Sequence, residues 1–249
     1  MEPAFGPKDL WDRMASYLRG LEVQIGRRPK AIVVISAHWA TPRPTVNVNP
    51  APSMLFDYYG FPEHTYRLSY PAPGSPALAK RISDLLGRAG IASDTDATRG
   101  FDHGVFVPFL LVYPIADIPI VQLSLRSDLD PAAHIAMGRV LEPLRDEGVL
   151  IVGSGMSYHN LRAMQARQGG EASDEFDAWL TRAVEDTDIE RRANTLADWE
   201  RAPHAHDCHP ASEHLTPLFV AAGAAGDDRG RRTYSEKLGI FALSGFQFG

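Results

Sequence analysis

The sequence predicts a single three-layer α/β domain, residues 1–249, with a mostly parallel central sheet flanked by helices. Two short apolar runs rich in β-branched residues, 31–37 and 148–154, are typical of strands buried on both faces of a parallel sheet. Helical patterns of about 10–15 residues alternate with such runs, as expected for parallel strands joined by crossover helices. No internal repeat, low-complexity tract or linker divides the chain, which favours one domain.

The elements of the first half follow from local patterns, in chain order. Leu10, Trp11 and Met14 begin an apolar stripe at helical spacing, which predicts a helix over 8–24. The strand 31–37 comes next. The segment 41–74 is rich in proline, glycine and aromatics, which indicates a short strand at 45–48 and then a long functional loop.

Proline-containing caps place two of the later helices. Ser75-Pro76 predicts a helix that runs to about Arg88, and Asp130-Pro131 predicts one that runs to about Asp146. The remaining expected elements are a buried helix at 103–113, a strand at 118–125, the strand at 148–154, a charged, solvent-facing helical pair at 171–201, a small-residue helix at 211–226 and a closing strand at 237–248.

Composition excludes several classes of protein. The formal net charge of −6 argues against a nucleic-acid-binding protein, which would normally have a basic face. The single cysteine, Cys208, rules out an intrachain disulfide and fits a reducing compartment. No apolar run approaches the ~20 residues that cross a bilayer, and the start of the chain does not resemble a signal peptide. A cytoplasmic location is therefore expected.

Four histidines stand where one predicted element gives way to another: His38, His103, His159 and His214. The carboxyl ends of parallel strands meet at one edge of a sheet, so these distant residues can form one site. Histidine is the commonest metal ligand and a general base near neutral pH. Each one alone could be a core histidine, but one shared site explains all of them better. Glu213 could accept a hydrogen bond from the imidazole of His214.

A second group of candidate ligands, His204, His206, Cys208 and His209, has a spacing that matches no closed structural zinc site. We interpret it as a loop that leads to the helix containing His214. Ser154 has no nucleophile elbow around it, and Cys208 has no local signature of a nucleophile.

Six short motifs occur in an order that is more specific than any one of them. The motifs are Ser-Ala-His-Trp (36–39), Tyr-Pro-Ala-Pro-Gly-Ser-Pro (70–76), Gly-Phe-Asp-His-Gly (100–104), Pro-Ile-Val-Gln-Leu-Ser (119–124), Gly-Ser-Gly with His-Asn-Leu (153–161), and His-Pro with Glu-His-Leu and Pro-Leu (209–218). Together they resemble the LigB-type, class III extradiol ring-cleavage dioxygenases, and within them the DOPA 4,5-dioxygenase branch, from about residue 7 to the C-terminus.

The resemblance implies a non-haem iron(II) or zinc(II) centre that opens a catechol-type ring with dioxygen, next to its two hydroxyl groups. It implies that His38 and His214 are metal ligands, that His159 is an acid/base residue or an additional ligand, and that His103 lines the substrate pocket and takes part in catalysis. Neutral histidines and a carboxylate suit iron(II) that must also bind substrate and dioxygen.

The sequence differs from the family pattern at its N-terminus. Family members begin with a short strand ending in His-Gly-x-Pro, whose histidine is a further metal ligand, whereas this chain begins Met-Glu-Pro-Ala-Phe-Gly-Pro. We therefore expect weaker metal binding, impaired activity and a sheet edge at which a second copy could pair. Two alternatives follow: a binding protein without metal chemistry on the same fold, and a zinc-dependent hydrolase that uses the same histidines.

Overall fold

The computed structural model describes residues 9–249. Its helices are α1 (Asp12–Ile25), α2 (Pro76–Arg88), α3 (His103–Val112), α4 (Pro131–Leu141), α5 (Pro143–Asp146), α6 (Leu161–Ala166), α7 (Gly170–Val184), α8 (Ile189–Ala197), α9 (Ala205–Cys208) and α10 (Thr216–Gly223). Its strands are β1 (Ala31–Ser36), β2 (Ala40–Thr41), β3 (Thr45–Asn47), β4 (Asp94–Asp96), β5 (Ile120–Gln122), β6 (Leu125–Arg126), β7 (Val149–Ser154), β8 (Gly230–Leu238) and β9 (Phe241–Phe248). Short 3₁₀ helices cover Glu63–Arg67 and Trp199–Arg201.

The central sheet has the strand order β5-β1-β7, and both pairings are parallel. Ile32 pairs with Ile120 on one side and with Leu150 on the other, so β1 lies in the middle. The predicted α/β class, with a parallel central sheet flanked by helices, is confirmed. The strand predicted at 118–125 is divided: β5 joins this sheet, whereas β6 pairs with β2.

Helices pack on both faces of strand β1, which explains its unbroken apolar sequence. Ile32 and Val34 belong to a buried cluster with the apolar side chains of α3. Val33 and Ile35, on the opposite face, pack with side chains of α2, α4 and α10. All four side chains have no exposed surface, and full burial of such side chains contributes about 1.5–3 kcal/mol each.

The two proline-containing caps act as the sequence indicates. Ser75 accepts a hydrogen bond from the backbone N of Leu78 (3.3 Å), and Asp130 accepts one from the backbone N of Ala133 (2.6 Å). The helix predicted to run to Asp146 is shorter, because α4 ends at Leu141 and Pro143 begins α5. Proline has no N–H with which to continue the helical hydrogen bonds.

The helical pair predicted over 171–201 is present as α7 and α8, but one side of it is buried, so the expectation that it faces solvent was wrong. Phe176, Leu180 and Leu196 pack in one core cluster with side chains of the β8–β9 hairpin. Arg192 is also buried, and its guanidinium donates to the backbone oxygens of Asp228 (2.9 Å) and Gly226 (3.1 Å). The many charges of this segment conceal an apolar stripe at helical spacing.

Two C-terminal predictions also needed correction. The expected closing strand is β9, which pairs antiparallel with β8 in a separate hairpin and does not join the central sheet. The helix expected over 211–226 is only α10, so the residues before Thr216 form a turn.

In the part of the chain that the structure describes, no helix is both long and apolar enough to cross a bilayer. The prediction that the family's His-Gly-x-Pro motif and its strand are missing concerns the first residues of the chain. Residues 1–8 lie outside the part that the structure describes, so it stays a prediction.

Candidate active site

The structure brings the four histidines singled out in the sequence together at the carboxyl edge of the central sheet. The ring centroids of His38 and His103 are 3.9 Å apart, and those of His38 and His214 are 4.9 Å apart. The ring of His159 stacks on that of His214, with a centroid distance of 3.5 Å. The edge of a parallel sheet thus joins residues that are 176 positions apart in sequence (214 − 38).

A buried polar network fixes the backbone of His38, which lies two residues beyond the end of β1. Ser36 Oγ accepts from the backbone N of His38 (3.2 Å) and donates to Asp102 Oδ1 (2.7 Å). The other oxygen of Asp102 accepts from Arg99 Nη2 (2.9 Å) and Gln122 Nε2 (2.8 Å). Arg99 also donates to the carbonyl oxygen of His38 (3.2 Å), so this buried carboxylate is paired and its network holds the His38 turn.

The first residue of α3, His103, contacts a carboxylate that sequence reasoning did not single out. Asp57 Oδ1 accepts hydrogen bonds from the backbone N (3.0 Å) and Nδ1 (2.8 Å) of His103. Its Oδ2 lies 3.7 Å from Nδ1 of His38. Burial opposes ionisation of Asp57, but the hydrogen bonds from His103 prevail and lower its pKa to about 2.

On the other side of the site, Glu213 lies beside His159. The distance from Glu213 Oε1 to His159 Nδ1 is 3.3 Å, so the expectation that Glu213 would pair with the His214 imidazole was wrong. Glu213 and His214 are adjacent in sequence and their donor atoms lie within 4.8 Å of one another, but the close contact of the carboxylate is with His159. His214 is 8% exposed, and its Nδ1 is buried without a hydrogen-bond partner among residues 9–249.

His38, His159 and His214 are neutral near pH 7, because their surroundings lower the pKa of each. Burial, with the positive charge that His103 would carry as the next cause, lowers the pKa of His38 to about 4. Burial and the neighbouring His159 lower the pKa of His214 to about 2. Burial also lowers the pKa of His159, against the opposing effect of Glu213. Neutral imidazole is the form of histidine that binds a metal ion.

Two groups of side chains in this site have donor atoms close enough to hold a metal ion. One is His38, Asp57 and His103, and the other is His159, Glu213 and His214. Within each group the donor atoms lie within 4.8 Å of one another. The two groups adjoin through the His38 and His214 rings.

The second cluster of candidate ligands does not come together in the structure. His204 contacts Asp207 (3.0 Å), and the ring of His206 lies edge-on to Trp199. The buried thiol of Cys208 donates to the carbonyl oxygen of Ala172 (3.6 Å), and burial raises its pKa to about 12. His209 lies buried with its Nε2 3.1 Å from the carbonyl oxygen of Ser157. Among the described residues, these four side chains form neither a ligand set nor an activated nucleophile.

The aromatic loop, residues 54–70, both packs and borders the site. Tyr70 is fully buried, and its hydroxyl donates to the carbonyl oxygen of Tyr113 (3.1 Å), so this ring belongs to the core. Tyr58 instead lies edge-on to the His103 ring, with centroids 5.6 Å apart. The loop therefore contributes one aromatic side chain next to the histidines.

The buried histidines predict that metal-free protein loses stability in mild acid. The pKa of His209 is lowered by burial to about 4, as that of His38 is, whereas an unfolded chain keeps about 6.5. The unfolded state then binds more protons between these values, so the free energy of unfolding falls as pH falls from about 6.5 towards 4. Each group contributes up to ~1.4 kcal/mol per pH unit.

Urea denaturation of chelator-treated protein at pH 7, 6 and 5 measures this dependence before most carboxylates titrate. We expect His209→Gln to reduce the slope of unfolding free energy against pH. The matched control is His64→Gln, which removes a histidine from the exposed 3₁₀ helix of the aromatic loop. Equal slopes in both variants would contradict the prediction.

Comparison with known proteins shows the family to which this chain belongs. The family described as the catalytic LigB subunit of aromatic ring-opening dioxygenase matches residues 7–245. The chain belongs to the LigB family. Within it, the chain is 46% identical over 206 residues to the 4,5-DOPA dioxygenase extradiol of Beta vulgaris, covering 81% of this chain and 75% of the relative. It is 49% identical over 209 residues to the protein of the same name from Escherichia coli K12, covering 79% and 73%.

A solved structure also matches the chain at the level of the fold. The crystal structure of an uncharacterized protein from Escherichia coli K12 matches with a TM-score of 0.74 and 33% identity, covering 94% of this chain and 92% of that one. The family and the relatives indicate a ring-cleaving dioxygenase that depends on a non-haem metal.

Proposed function

We propose that this LigB member, acting as one catalytic domain, cleaves a catechol-type substrate with dioxygen next to its two hydroxyl groups. The observation that carries the proposal is the convergence of four histidines and two carboxylates at the carboxyl edge of the sheet. Because two relatives are 4,5-DOPA dioxygenases by name, we propose DOPA or a similar 3,4-dihydroxyphenyl compound as the substrate.

The donors of His159, Glu213 and His214, which lie within 4.8 Å of one another and adjoin the ring of His38, fit a divalent metal ion, iron(II) or zinc(II). His214 offers a buried ring nitrogen that no other described residue satisfies, and such an atom is costly unless a ligand engages it. We propose His38, His214 and His159 as the ligands, with His159 also able to serve in proton transfer. Iron(II), when bound, would supply the redox chemistry that lets dioxygen react with an aromatic ring.

Histidines around this centre can accept a proton from the substrate and return it to the product. Glu213 and Asp57 each face the Nδ1 atom of one histidine, His159 and His103 respectively. A carboxylate only accepts hydrogen bonds, so each imidazole carries its proton on Nδ1 and leaves Nε2 with a free electron pair. Nε2 of His103 can accept the proton of a catechol hydroxyl and later return it to the opened product, and Nε2 of His159 can do the same only when His159 does not bind the metal.

The test is reconstitution of metal-free protein under anaerobic conditions with iron(II) or zinc(II), followed by exposure to oxygen and substrate. We expect iron(II)-dependent oxygen uptake and the absorbance of a ring-opened product with DOPA or another catechol. The proposal fails if iron-loaded protein with stoichiometric metal consumes no oxygen with any catechol tested. Zinc-dependent ester or amide hydrolysis without oxygen uptake would favour a hydrolase instead, and failure to bind either metal would favour a binding protein.

A further inference from the structure

We infer that Asp57 is a positioning residue that holds the imidazole of His103 in one tautomer and one orientation. Its carboxylate keeps the proton on Nδ1 and leaves Nε2 free for the substrate. The inference rests on the proposed function and deepens it, because it makes His103 a second proton acceptor of the site, in addition to His159. Asp57 lies in the loop between β3 and α2, far in sequence from the histidine that it contacts.

One oxygen of Asp57 fixes both the backbone and the ring of His103. Oδ1 accepts from the backbone N at 3.0 Å and from Nδ1 at 2.8 Å. The N–H groups in the first turn of a helix have no partner within the helix, and the preceding residue usually supplies one from its side chain. At α3 that residue is Asp102, whose side chain does not cap the helix.

The reason is that the Asp102 carboxylate is already used. It accepts from the side chains of Ser36, Gln122 and Arg99 in the network beneath His38. A carboxylate from the distant loop therefore takes over at the start of α3. Because Asp57 caps α3 in place of Asp102, the orientation of the His103 ring depends on where the aromatic loop lies.

The ring of His103 is restrained on other sides as well. The ring of Tyr58 stands at 85° to it, and the ring of His38 lies against it with centroids 3.9 Å apart. The hydroxyl of Tyr58 donates to the carbonyl oxygen of Thr65 (2.6 Å), which ties this part of the loop together. Rotation of the His103 ring would break the bond to Asp57 and displace its neighbours.

Asp57 could instead be a metal ligand, because its carboxylate also belongs to a potential ligand group with His38 and His103. The contacts favour positioning. Oδ1 is occupied by two N–H donors of the same histidine, and Oδ2 lies 3.7 Å from His38 Nδ1, beyond hydrogen-bonding distance. Metal content of an Asp57 variant separates the two roles.

The first arm of the test reads the tautomer directly in metal-free, ¹⁵N-labelled full-length protein. Long-range ¹H–¹⁵N spectra distinguish the two tautomers, and His103→Gln identifies the signals of His103. We expect only the Nδ1–H tautomer in the wild type and in Asp57→Asn, whose amide oxygen can still accept. Asp57→Ala should release the ring to a mixture of tautomers. An Nε2–H tautomer in the wild type, or an unchanged tautomer in Asp57→Ala, would overturn the inference.

The second arm uses the iron-loaded enzyme with the catechol that it turns over. We expect Asp57→Ala to lower kcat by about 10–100-fold with KM changed less than about threefold, at unchanged iron content. Asp57→Asn should lose less, since it keeps the acceptor. Glu63→Gln, which removes an exposed carboxylate from the same loop, is the matched control and should keep full activity. Loss of iron in Asp57→Asn would overturn positioning in favour of ligation.

The two arms keep this inference separate from the proposed function. If the iron-loaded wild type turns over no catechol, the proposed function fails, whereas the tautomer of His103 still tests the role of Asp57. If catechol is cleaved and Asp57→Ala keeps the wild-type kcat, the role of Asp57 fails and the proposed function stands.

Discussion

His214→Ala is expected to abolish stoichiometric metal binding and to reduce ring cleavage by on the order of 10³-fold. His214 lies between the other histidines, since its ring stacks on that of His159 and borders that of His38. Its Nδ1 is buried without a partner in the described part of the chain, and its pKa, lowered to about 2 mainly by burial, keeps the ring neutral. Removal of this imidazole deletes the most buried of the proposed ligands.

The fold should survive this substitution. Loss of an unsatisfied buried nitrogen removes a desolvation cost, which offsets part of the cavity left by the ring. We therefore expect metal-free His214→Ala to unfold within about 1–2 kcal/mol of the metal-free wild type. The increase in melting temperature that bound metal gives the wild type should be absent, because a ligand stabilises only the state that binds it.

Elemental analysis, oxygen uptake and thermal unfolding with and without added iron(II) measure these effects. His206→Ala is the matched control, because it removes an exposed histidine of the neighbouring segment whose ring rests against Trp199. It should keep metal and activity. Stoichiometric, tightly held iron in His214→Ala would show that the ligands lie elsewhere, for example in the group around Asp57.

The convergence of the histidines could be predicted because it depends on the sheet. The apolar run that ends at Ser36 identifies a strand buried on both faces, and the run that ends at Ser154 identifies a second. Parallel strands present their carboxyl ends at one edge, so His38 and His159 had to lie near each other. No side-chain detail was needed for that step.

The carboxylates of the site could not be assigned in the same way. Asp57 lies in a loop without periodicity, and its place beside His103 depends on how 3₁₀ turns and aromatic contacts fold that loop. Glu213 was noticed for its neighbour in sequence, but the turn before α10 directs it to His159. The available signal for Asp57 was its position between two aromatic residues, Phe56 and Tyr58, of the aromatic loop.

The burial of the apolar stripe in 171–201 also could not be predicted from local sequence. Charged residues outnumber the apolar ones there, yet Phe176, Leu180 and Leu196 are buried in a core cluster that includes a hairpin distant in sequence. Whether a helix has a buried side depends on what packs on it, which local composition does not reveal. The same holds for Arg192, whose burial depends on carbonyl acceptors beyond α10.

The glycine-rich turn after β7 has a further consequence for the site. Gly155 packs so closely on the turn before α10 that a Cβ atom would overlap the carbonyl oxygen of His214 and lie 3.0 Å from its carbonyl carbon. The same carbonyl oxygen accepts from the backbone N of Met156 (3.0 Å). Because both contacts are with backbone, no side-chain rotation can relieve the overlap.

Gly155→Ala is therefore expected to displace the turn that holds His214. We expect the free energy of unfolding to fall by about 1–3 kcal/mol, as for other overpacked sites, and iron(II) affinity to fall by about tenfold or more. Urea denaturation of metal-free protein and competition titration with a chelator measure the two quantities. Gly87→Ala is the control, because its Cβ in α2 would meet nothing within 4 Å.

The control should change stability in the opposite direction. Gly87 lies in the last turn of α2, where alanine is more stable than glycine by at most about 0.8–1 kcal/mol, so Gly87→Ala should raise the free energy of unfolding and leave iron affinity unchanged. If Gly155→Ala bound iron(II) as tightly as the wild type, His214 would not depend on this close backbone contact. If it lost affinity without losing stability, the turn would move at little cost, and its position would matter for the site alone.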